Sequence, residues 1–255
     1  MLNGKQNQST LKVMIKTALI TGATKGIGKA ITFRLLKEGW NVIATYDVDT
    51  EAANSAYTEF CTVAPDRVHL LQADISDLES ISLINSFLEK NNLLIDVVIF
   101  NAGLTDRSDF MDMKPENWER VYTANVQFPV FLLQKIYPRL NPKGSITFTG
   151  SLMAIHPHSV SLAYGVSKAS VHALVKNLVK FFTEKNIRVN AVAPGFVDTE
   201  WQKTKPAEIR NNIINKLALG RFCSPEEITD VYLMLINNNY INGEIVVCDG
   251  GYSYK

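Results

Sequence analysis

Short apolar runs alternate along this chain with longer segments of helical pattern, and this alternation restricts its fold more than any other feature. Runs such as that from Val97 to Phe100 are apolar throughout, which is typical of strands that helices cover on both faces. The alternation predicts an α/β fold, with a parallel, doubly wound sheet between two layers of helices. The seven predicted strands are residues 17–21, 41–46, 68–72, 96–101, 145–150, 188–193 and 244–248.

Length and composition predict one globular domain. A chain of 255 residues can bury a large core in one or two domains. No linker, repeat or low-complexity tract divides the sequence, so we expect a single domain over residues 15–255 after a flexible lead of residues 1–14. Hydrophobic residues make up 46% of the chain and charged residues 20%, which is ordinary for a globular protein rather than a disordered one.

Charge, hydropathy and cysteine content exclude several classes of partner. A net charge of +1 creates no field that would recruit nucleic acid or an anionic membrane. No apolar stretch approaches the ~20 residues that a spanning helix needs, and the polar residues 1–10 do not fit a signal peptide. Cys61, Cys223 and Cys248 lack metal-ligand spacing, which suggests free thiols in a reducing compartment. We therefore expect a cytoplasmic protein with no nucleic-acid or membrane partner.

A glycine-rich turn connects the first predicted strand to a predicted helix over residues 29–38. Gly22 permits a tight turn, Gly26 lets the backbone approach a pyrophosphate, and Gly28 lets the helix pack closely on the sheet. The amino terminus of the helix attracts phosphates. A lone glycine cluster is more often an ordinary loop, but the order strand, turn, helix is typical of a Rossmann-type dinucleotide site. The turn residues expected to bind the cofactor are Gly22, Thr24, Lys25, Gly26, Ile27 and Gly28.

Tyr164 and Lys168 lie four residues apart in a predicted helix over residues 161–182, so the ammonium is expected one turn from the phenol. A neighbouring cation lowers the pKa of a tyrosine from about 10 and makes it a usable acid or base. Alone, such a pair is more often a surface pair worth a few tenths of a kcal/mol. Ser151, however, ends a predicted strand at the carboxyl edge of the sheet, where such folds bind ligands. The three residues together predict a nicotinamide-dependent carbonyl reductase.

On these motifs the chain resembles the short-chain dehydrogenase/reductase family from about residue 16 to residue 251. The family's catalytic serine, tyrosine and lysine fall on Ser151, Tyr164 and Lys168, and its relay asparagine falls on Asn125. The resemblance implies that Ser151 hydrogen-bonds the substrate oxygen and that Tyr164 transfers the proton. It also implies that Lys168 holds the nicotinamide ribose and tunes Tyr164, while Asn125 positions a water that leads outward.

Three further segments match the family's cofactor site. The resemblance assigns residues 74–75 to the adenine, residues 101–103 to the sheet beside the adenine ribose, and residues 194–199 to the nicotinamide carboxamide and the phosphates. Phe100 stands where many members carry asparagine. A plain helix cap is the alternative role for the aspartate of the first segment. The residues expected to contact the cofactor are Asp74, Ile75, Asn101, Ala102, Gly103, Pro194, Gly195, Val197 and Thr199, together with Tyr164 and Lys168.

The sequence offers opposing charges for the choice between NADP and NAD. An acidic residue after the second strand binds the ribose hydroxyls of NAD, whereas basic residues accept the extra phosphate of NADP. Lys25 lies where NADP-using relatives often carry a basic residue. Tyr46 occupies the position at which strict NAD users place their aspartate, and Asp47 follows it. We expect NADP(H) to be favoured over NAD(H), with Asp47 opposing that choice.

Residues 103–108 and 219–222 resemble the bacterial β-ketoacyl-acyl-carrier-protein reductases, which implies a small-molecule or acyl-carrier-bound carbonyl substrate. Such stretches recur in relatives that act on sugars, steroids and small ketones, so those substrates stay open. A non-catalytic NAD(P)-binding regulatory protein is the alternative from another class, since a fold alone does not decide function. The intact catalytic set favours the enzyme. Four apolar residues near the predicted mouth either line a pocket or simply pack, namely Met153, Ile155, Phe196 and Trp201.

Two charged or titratable groups of side chains lie outside these motifs. His156 and His158 have no carboxylate or cysteine partners in sequence, so we expect no metal site. Arg139, Lys143 and Lys185 are either a patch for an acidic carrier protein or solvated surface charges.

The predicted helices over residues 115–137 and 163–182 carry more apolar positions than one sheet face uses. Relatives pack these helices against a twofold mate, which implies a homotetramer or homodimer. Residues 242–251 resemble the family's last strand and are expected near a second interface.

Overall fold

The computed structural model describes residues 15–157, 159 and 161–255, so the predicted lead of residues 1–14 lies outside the described residues. Its strands are β1 (Thr17–Ile20), β2 (Asn41–Tyr46), β3 (Val68–Gln72), β4 (Ile95–Phe100), β5 (Leu140–Thr149), β6 (Arg188–Pro194) and β7 (Ile245–Cys248). All seven pair in parallel in one sheet of order β3-β2-β1-β4-β5-β6-β7. The sheet has the predicted number of strands and the predicted doubly wound topology.

Helices cover both faces of the sheet. They are α1 (Gly26–Lys37), α2 (Thr50–Val63), α3 (Ser80–Lys90), α4 (Pro115–Tyr122), α5 (Phe128–Ile136), α6 (Leu162–Leu178), α7 (Glu200–Lys203), α8 (Ala207–Lys216) and α9 (Pro225–Asn237). One apolar core lies between the sheet and α1, α2 and α9, and the other lies between the sheet and α3, α5 and α6. The Rossmann-type, single-domain prediction is confirmed.

Successive residues of the central strands enter opposite cores, because side chains alternate along a strand. In β4, Val98 packs into the core beneath α3, α5 and α6, whereas Ile99 packs into the core beneath α1, α2 and α9. Both side chains are almost fully buried. The two-sided burial explains why the strand is apolar at every position.

β5 begins earlier than predicted, at Leu140 rather than at residue 145. Residues 141–144 have the composition of a turn, and they interrupt the pairing with β4, whose register shifts between Ile95 and Val97. Gly144 lies against the neighbouring strand, since a Cβ there would stand 2.7 Å from the Asp96 carbonyl oxygen. Strand β5 therefore pairs with β4 on both sides of a segment that local propensity assigns to a turn.

The predicted helix over residues 115–137 is divided in two. A π-helical turn, Thr123–Gln127, separates α4 from α5. Pro129 lies in the first turn of α5 and has no N–H to donate to the Asn125 carbonyl, so the regular α-helical pattern cannot continue there. Such π turns are frequent at functional sites, and this one carries Asn125.

Within the described ranges, no helix combines the length and the apolar character that crossing a membrane requires.

Candidate active site

The glycine turn after β1 packs closely against the residues around it. Gly22 and Gly26 have φ values of 62° and 49°, in the left-handed region that favours glycine. A Cβ on Gly28 would stand 2.2 Å from the Gly22 carbonyl oxygen and 2.5 Å from Asn101 Nδ2. α1 begins at Gly26, three residues earlier than predicted, so its free N–H groups face the turn. This geometry suits a pyrophosphate at the helix amino terminus.

Asn101, which follows β4, stabilises the glycine turn with its side chain. Its Nδ2 donates to the Gly22 carbonyl oxygen at 3.0 Å and to the Thr21 carbonyl oxygen at 3.2 Å. Ala102 lies equally close, because a Cβ on Gly22 would stand 3.0 Å from Ala102 Cβ. The first two residues of the predicted 101–103 triplet therefore hold the turn in shape.

The connection between β2 and α2 carries an aspartate, Asp49, that sequence reasoning missed. Lys25 Nζ forms an ion pair with Asp49, which also accepts the Ala52 N–H at 3.0 Å as the N-cap of α2. The position of Asp49 just before a helical pattern indicates a cap, but only the fold brings it to Lys25. Asp47 is half-buried, and its Oδ1 has no hydrogen-bond partner among the described residues. Burial and the nearby Asp74 carboxylate raise the pKa of Asp47.

Residues 74 and 75 shape the turn after β3. Asp74 Oδ1 accepts the Ser76 N–H at 2.7 Å, and the N-cap of α3 is Glu79. The alternative of Asp74 as a plain helix cap is therefore wrong, because Asp74 closes a local turn before the helix starts. Ile75 is buried in the core.

Ser151, Tyr164 and Lys168 meet at the carboxyl edge of the sheet. The Tyr164 phenol forms a side-chain hydrogen bond with Ser151. Lys168 Nζ lies 5.6 Å from the Tyr164 ring centroid and donates to the carbonyl oxygen of Thr149 at 2.7 Å. α6 spans most of the helix predicted over residues 161–182 and ends in a 3-10 turn, so the tyrosine and lysine share a face as expected.

The expected lowering of the tyrosine pKa is not what the structure gives. Burial raises the pKa of Tyr164, and the hydrogen bond with Ser151 opposes that rise. Burial also lowers the pKa of Lys168 to about 8. Because the lysine ammonium points to Thr149 rather than to the phenol oxygen, desolvation dominates the tyrosine.

Asn125 is buried beside these residues, and its amide is bound to the chain. Its Nδ2 donates to the Leu104 carbonyl oxygen and to Ser167 Oγ, each at 2.9 Å, and its Oδ1 accepts the Leu104 N–H at 2.8 Å. A Cβ on Gly103 would stand 3.2 Å from Asn125 Oδ1 and 3.3 Å from Lys168 Nζ. Gly103 thus keeps open the space between the asparagine and the lysine.

His172 is a second residue that sequence reasoning missed. Its Nε2 accepts the Ser151 N–H at 3.4 Å, and a Cβ on Gly150 would stand only 2.3 Å from that nitrogen. Burial, with the charges of Lys168 and Lys176, lowers the pKa of His172 to about 4. The spacing of Tyr164, Lys168 and His172, each four residues apart, would have placed the histidine on the catalytic face of the helix.

The segment after β6 lies against the glycine turn. A Cβ on Gly26 would stand 2.9 Å from Thr199 Cγ2. Gly195 donates its N–H to the Cys248 carbonyl oxygen at 2.9 Å and approaches Asp249, whose Cα lies 2.7 Å from an added Cβ. Pro194 ends β6, and Val197 forms an isolated bridge with Cys223. The predicted 194–199 segment therefore borders the same cleft as residues 22–28.

The four apolar residues predicted near the mouth of the active site differ in their exposure and in their contacts. The Trp201 ring lies 5.9 Å from the Tyr164 ring, and Ile155 is also exposed. Phe196 instead packs at 5.2 Å from the Tyr252 ring in a small core. Met153 is buried against Gly165. Trp201 is thus the exposed aromatic side chain that packs against the Tyr164 ring.

The other candidates lie away from this cleft. Arg139, Lys143 and Lys185 lie at or near the amino-terminal starts of β5 and β6, opposite the edge that carries Ser151, so a carrier patch there does not fit. His158 is outside the described residues. Among the described residues, no group of three or more His, Cys, Asp or Glu side chains is arranged to hold a metal ion. The three cysteines are free thiols.

A Rossmann sheet with a glycine turn after β1 and a serine, tyrosine and lysine at its carboxyl edge defines the class of nicotinamide-dependent oxidoreductases. A family model described as Enoyl-(Acyl carrier protein) reductase matches residues 22–253. This chain belongs to the short-chain dehydrogenase/reductase family, as the resemblance implied.

Several relatives are similar to the chain over nearly its whole length. The 3-oxoacyl-acyl-carrier-protein reductase FabG of Thermotoga maritima is 34% identical over 92% of this chain and 97% of its own. The reductase of the same name from Aquifex aeolicus is 32% identical over 94% and 98%. The chain is accordingly an oxidoreductase that resembles 3-oxoacyl-acyl-carrier-protein reductases.

Solved structures agree with this family. A short-chain dehydrogenase/reductase from Serratia marcescens is 28% identical, with a TM-score of 0.86 over 93% of this chain and 98% of its own. A Burkholderia cenocepacia short-chain dehydrogenase in complex with NADP is 25% identical, with a TM-score of 0.87 and the same coverage.

Proposed function

We propose that this chain reduces the 3-keto group of an acyl thioester on an acyl carrier protein, with NADPH as the hydride donor. The observation that supports this most is the meeting of Ser151, Tyr164 and Lys168 at the carboxyl edge of the sheet, next to the glycine turn. Identities of 34% and 32% to two 3-oxoacyl-acyl-carrier-protein reductases support the choice of substrate.

The cleft fits a nicotinamide dinucleotide. The glycine turn leaves no room for a Cβ at Gly28, and the space at Gly103 opens directly onto Lys168 Nζ. When bound, the cofactor would supply the hydride to the carbonyl carbon. The residues proposed to hold it are Gly22, Thr24, Lys25, Gly26, Ile27, Gly28, Asp47, Asp74, Ile75, Asn101, Ala102, Gly103, Tyr164, Lys168, Pro194, Gly195, Val197 and Thr199.

Tyr164 is the proposed general acid. Because burial raises its pKa, the phenol is protonated at neutral pH and can donate to the alkoxide that forms at the substrate oxygen. The Ser151 hydroxyl, which already hydrogen-bonds the phenol, would donate to the same oxygen. The two residues together hold and neutralise the developing charge.

Lys168 and Asn125 are the proposed supports of the acid. One ammonium proton of Lys168 goes to the Thr149 carbonyl oxygen, which leaves two for a ribose hydroxyl and a water. Pro129 cannot donate to the Asn125 carbonyl, and we assign that oxygen to the water that leads outward from Lys168. Such a water would return a proton to Tyr164 by way of the Lys168 ammonium.

The choice of NADP rests on Lys25, although Asp49 competes for its charge. A phosphate bound to Lys25 would displace Asp49, and a charge-assisted contact is worth about 1.5–3 kcal/mol. We expect Lys25→Ala to weaken NADPH binding about 10- to 100-fold and NADH binding much less. Asp49→Asn keeps the helix cap but releases the lysine, so it should strengthen NADPH binding, as should Asp47→Ala. A parent that prefers NADH by a ratio unchanged in Lys25→Ala would refute the assignment.

Turnover assays test the proposed reaction. 3-Oxoacyl thioesters on acyl carrier protein should be reduced with NADPH at least tenfold more efficiently than a panel of sugars, steroids and small ketones. A panel member that is reduced more efficiently would assign the chain to another alcohol. NADPH binding without turnover of any carbonyl would support the non-catalytic alternative instead.

A further inference from the structure

Three cations, Arg107, Lys205 and Arg210, lie near one another, and one of them contacts Trp201 beside Tyr164; we refer to the three as the cationic rim. Arg107 is exposed, while Lys205 and Arg210 are half-buried. Each cation lies over an aromatic ring, which holds its charge in place. The distances from cation to ring centroid are 5.7 Å for Arg107 on Trp201, 5.7 Å for Lys205 on Phe196 and 4.4 Å for Arg210 on Phe222.

The cationic rim carries more positive than negative charge. Arg210 Nη2 donates to Asp198 at 2.9 Å, but no carboxylate among the described residues pairs with Arg107 or Lys205. Arg210 Nη1 is buried and has no hydrogen-bond partner among the residues that the structure describes. Burial and the charges of Arg107 and Arg210 lower the pKa of Lys205. Neighbouring like charges are costly unless anions compensate them, and Asp198 pairs with only one of the three cations.

The position of the rim relative to the acid indicates what that anion is attached to. The Trp201 ring contacts both, at 5.9 Å from the Tyr164 ring and 5.7 Å from the Arg107 guanidinium carbon. The Arg107 guanidinium is thus one aromatic ring removed from the Tyr164 ring. It can contact a charged group farther along the same substrate.

We propose that the cationic rim binds the phosphate of a phosphopantetheine arm whose thioester end carries the 3-keto group. Guanidinium and ammonium groups are the side chains that bind phosphate most strongly. The inference rests on the proposed function, because it names the anchor of that same substrate. Coenzyme A and an acyl carrier protein present the same phosphate, and the test separates them.

A binding experiment tests the rim without requiring turnover. Phosphopantetheine and pantetheine differ only in the phosphate, and both are titrated calorimetrically into the parent protein. The parent should bind phosphopantetheine at least tenfold more tightly, and the difference should vanish in Arg107→Gln/Lys205→Gln. Lys203→Gln is the matched control, since Lys203 is exposed, lies two residues from Lys205 and pairs with Glu200. Equal binding of the two ligands to the parent overturns the proposal.

Kinetics then distinguish the rim from the reaction. For acetoacetyl-coenzyme A and acetoacetyl-acyl carrier protein, the double variant should raise KM at least tenfold with kcat nearly unchanged. Reduction of the neutral acetoacetyl N-acetylcysteamine thioester should change less than twofold. An equal loss of activity with the neutral thioester would assign the rim a structural role and overturn the proposal.

Failure of the parent to reduce any of the three substrates would refute the proposed function, while the calorimetry would still decide the phosphate site. A tenfold lower KM for the carrier-bound substrate than for coenzyme A would identify the carrier as the source.

Discussion

Burial sets the protonation of three residues around the predicted catalytic serine. The pKa of Tyr164 is raised, that of Lys168 is lowered to about 8, and that of His172 is lowered to about 4. Each shift favours the neutral form, because an ionised group loses hydration when it is buried. At neutral pH the site therefore holds a protonated phenol, a mostly charged lysine and a neutral imidazole.

Tyr164→Phe keeps the ring and removes the proposed proton donor. General acid catalysis typically contributes about a hundred- to ten-thousand-fold, so we expect kcat/KM for carbonyl reduction to fall by at least a hundredfold. NADPH affinity, measured by fluorescence titration, should change little. A variant that reduces carbonyls within a few fold of the parent rate would show that Tyr164 is not the acid.

His172 should make stability depend on pH. Its pKa of about 4 in the folded protein lies below the ordinary 6.5, so the unfolded chain binds more protons between those values. Stability is thus complete above pH 6.5 and is lost as the pH falls towards 4. Between pH 7.5 and pH 4.5, urea unfolding should show a loss of about 2 kcal/mol that is absent in His172→Gln. The same pH dependence in both proteins would assign the loss to other groups.

At the scale of secondary-structure elements, close approaches between helices and strands shape the site. At Gly28, α1 meets the turn after β1 and the side chain of Asn101. At Gly150, β5 meets His172 of α6. Because each contact leaves no space for a Cβ, the backbone itself sets the distance between strand and helix. The site depends on these approaches as much as on its polar side chains.

Gly28→Ala tests the approach of α1 to the sheet. The added methyl would meet the Gly22 carbonyl oxygen, so the turn must open and the cofactor should bind at least tenfold more weakly. Gly220→Ala is the control, because no atom lies within 4 Å of a Cβ there and only its φ of 64° is strained. Affinities for NADPH are compared by calorimetry. Similar losses in both variants would mean that general destabilisation of the fold, rather than the clash at Gly28, weakens binding.

At the scale of the whole molecule, one face carries exposed apolar side chains. They include Phe131 on α5, Val166 on α6 and Phe181 in the turn that follows α6. Exposed apolar patches rimmed by polar residues often mark protein interfaces. The predicted homotetramer or homodimer would cover these side chains by packing the same helices of two copies together.

Val166→Lys should weaken this assembly. Light scattering across a range of concentrations should give a dimer or tetramer for the parent and a smaller species for the variant. Leu83→Lys is the control, because Leu83 is also apolar and exposed but lies on α3. A parent that stays monomeric at every concentration would refute the prediction.

The sequence by itself determined the fold class and the family, and it predicted the catalytic set. These conclusions rest on local patterns, which are the strand periodicity, the glycine spacing and the interval between Tyr164 and Lys168. Local patterns can be recognised in the sequence without knowledge of the fold. The strands predicted from them differ from the observed ones by a few residues, except at the start of β5.

Only the tertiary structure decided which distant residues share an environment. Asp49 beside Lys25, His172 behind Ser151 and the cationic rim unite side chains from separate elements. The direction of the Tyr164 pKa also depended on it, because spacing indicates that a cation is near but not how much water is lost. Desolvation and long-range pairing arise from packing, so no local pattern in the chain encodes them directly.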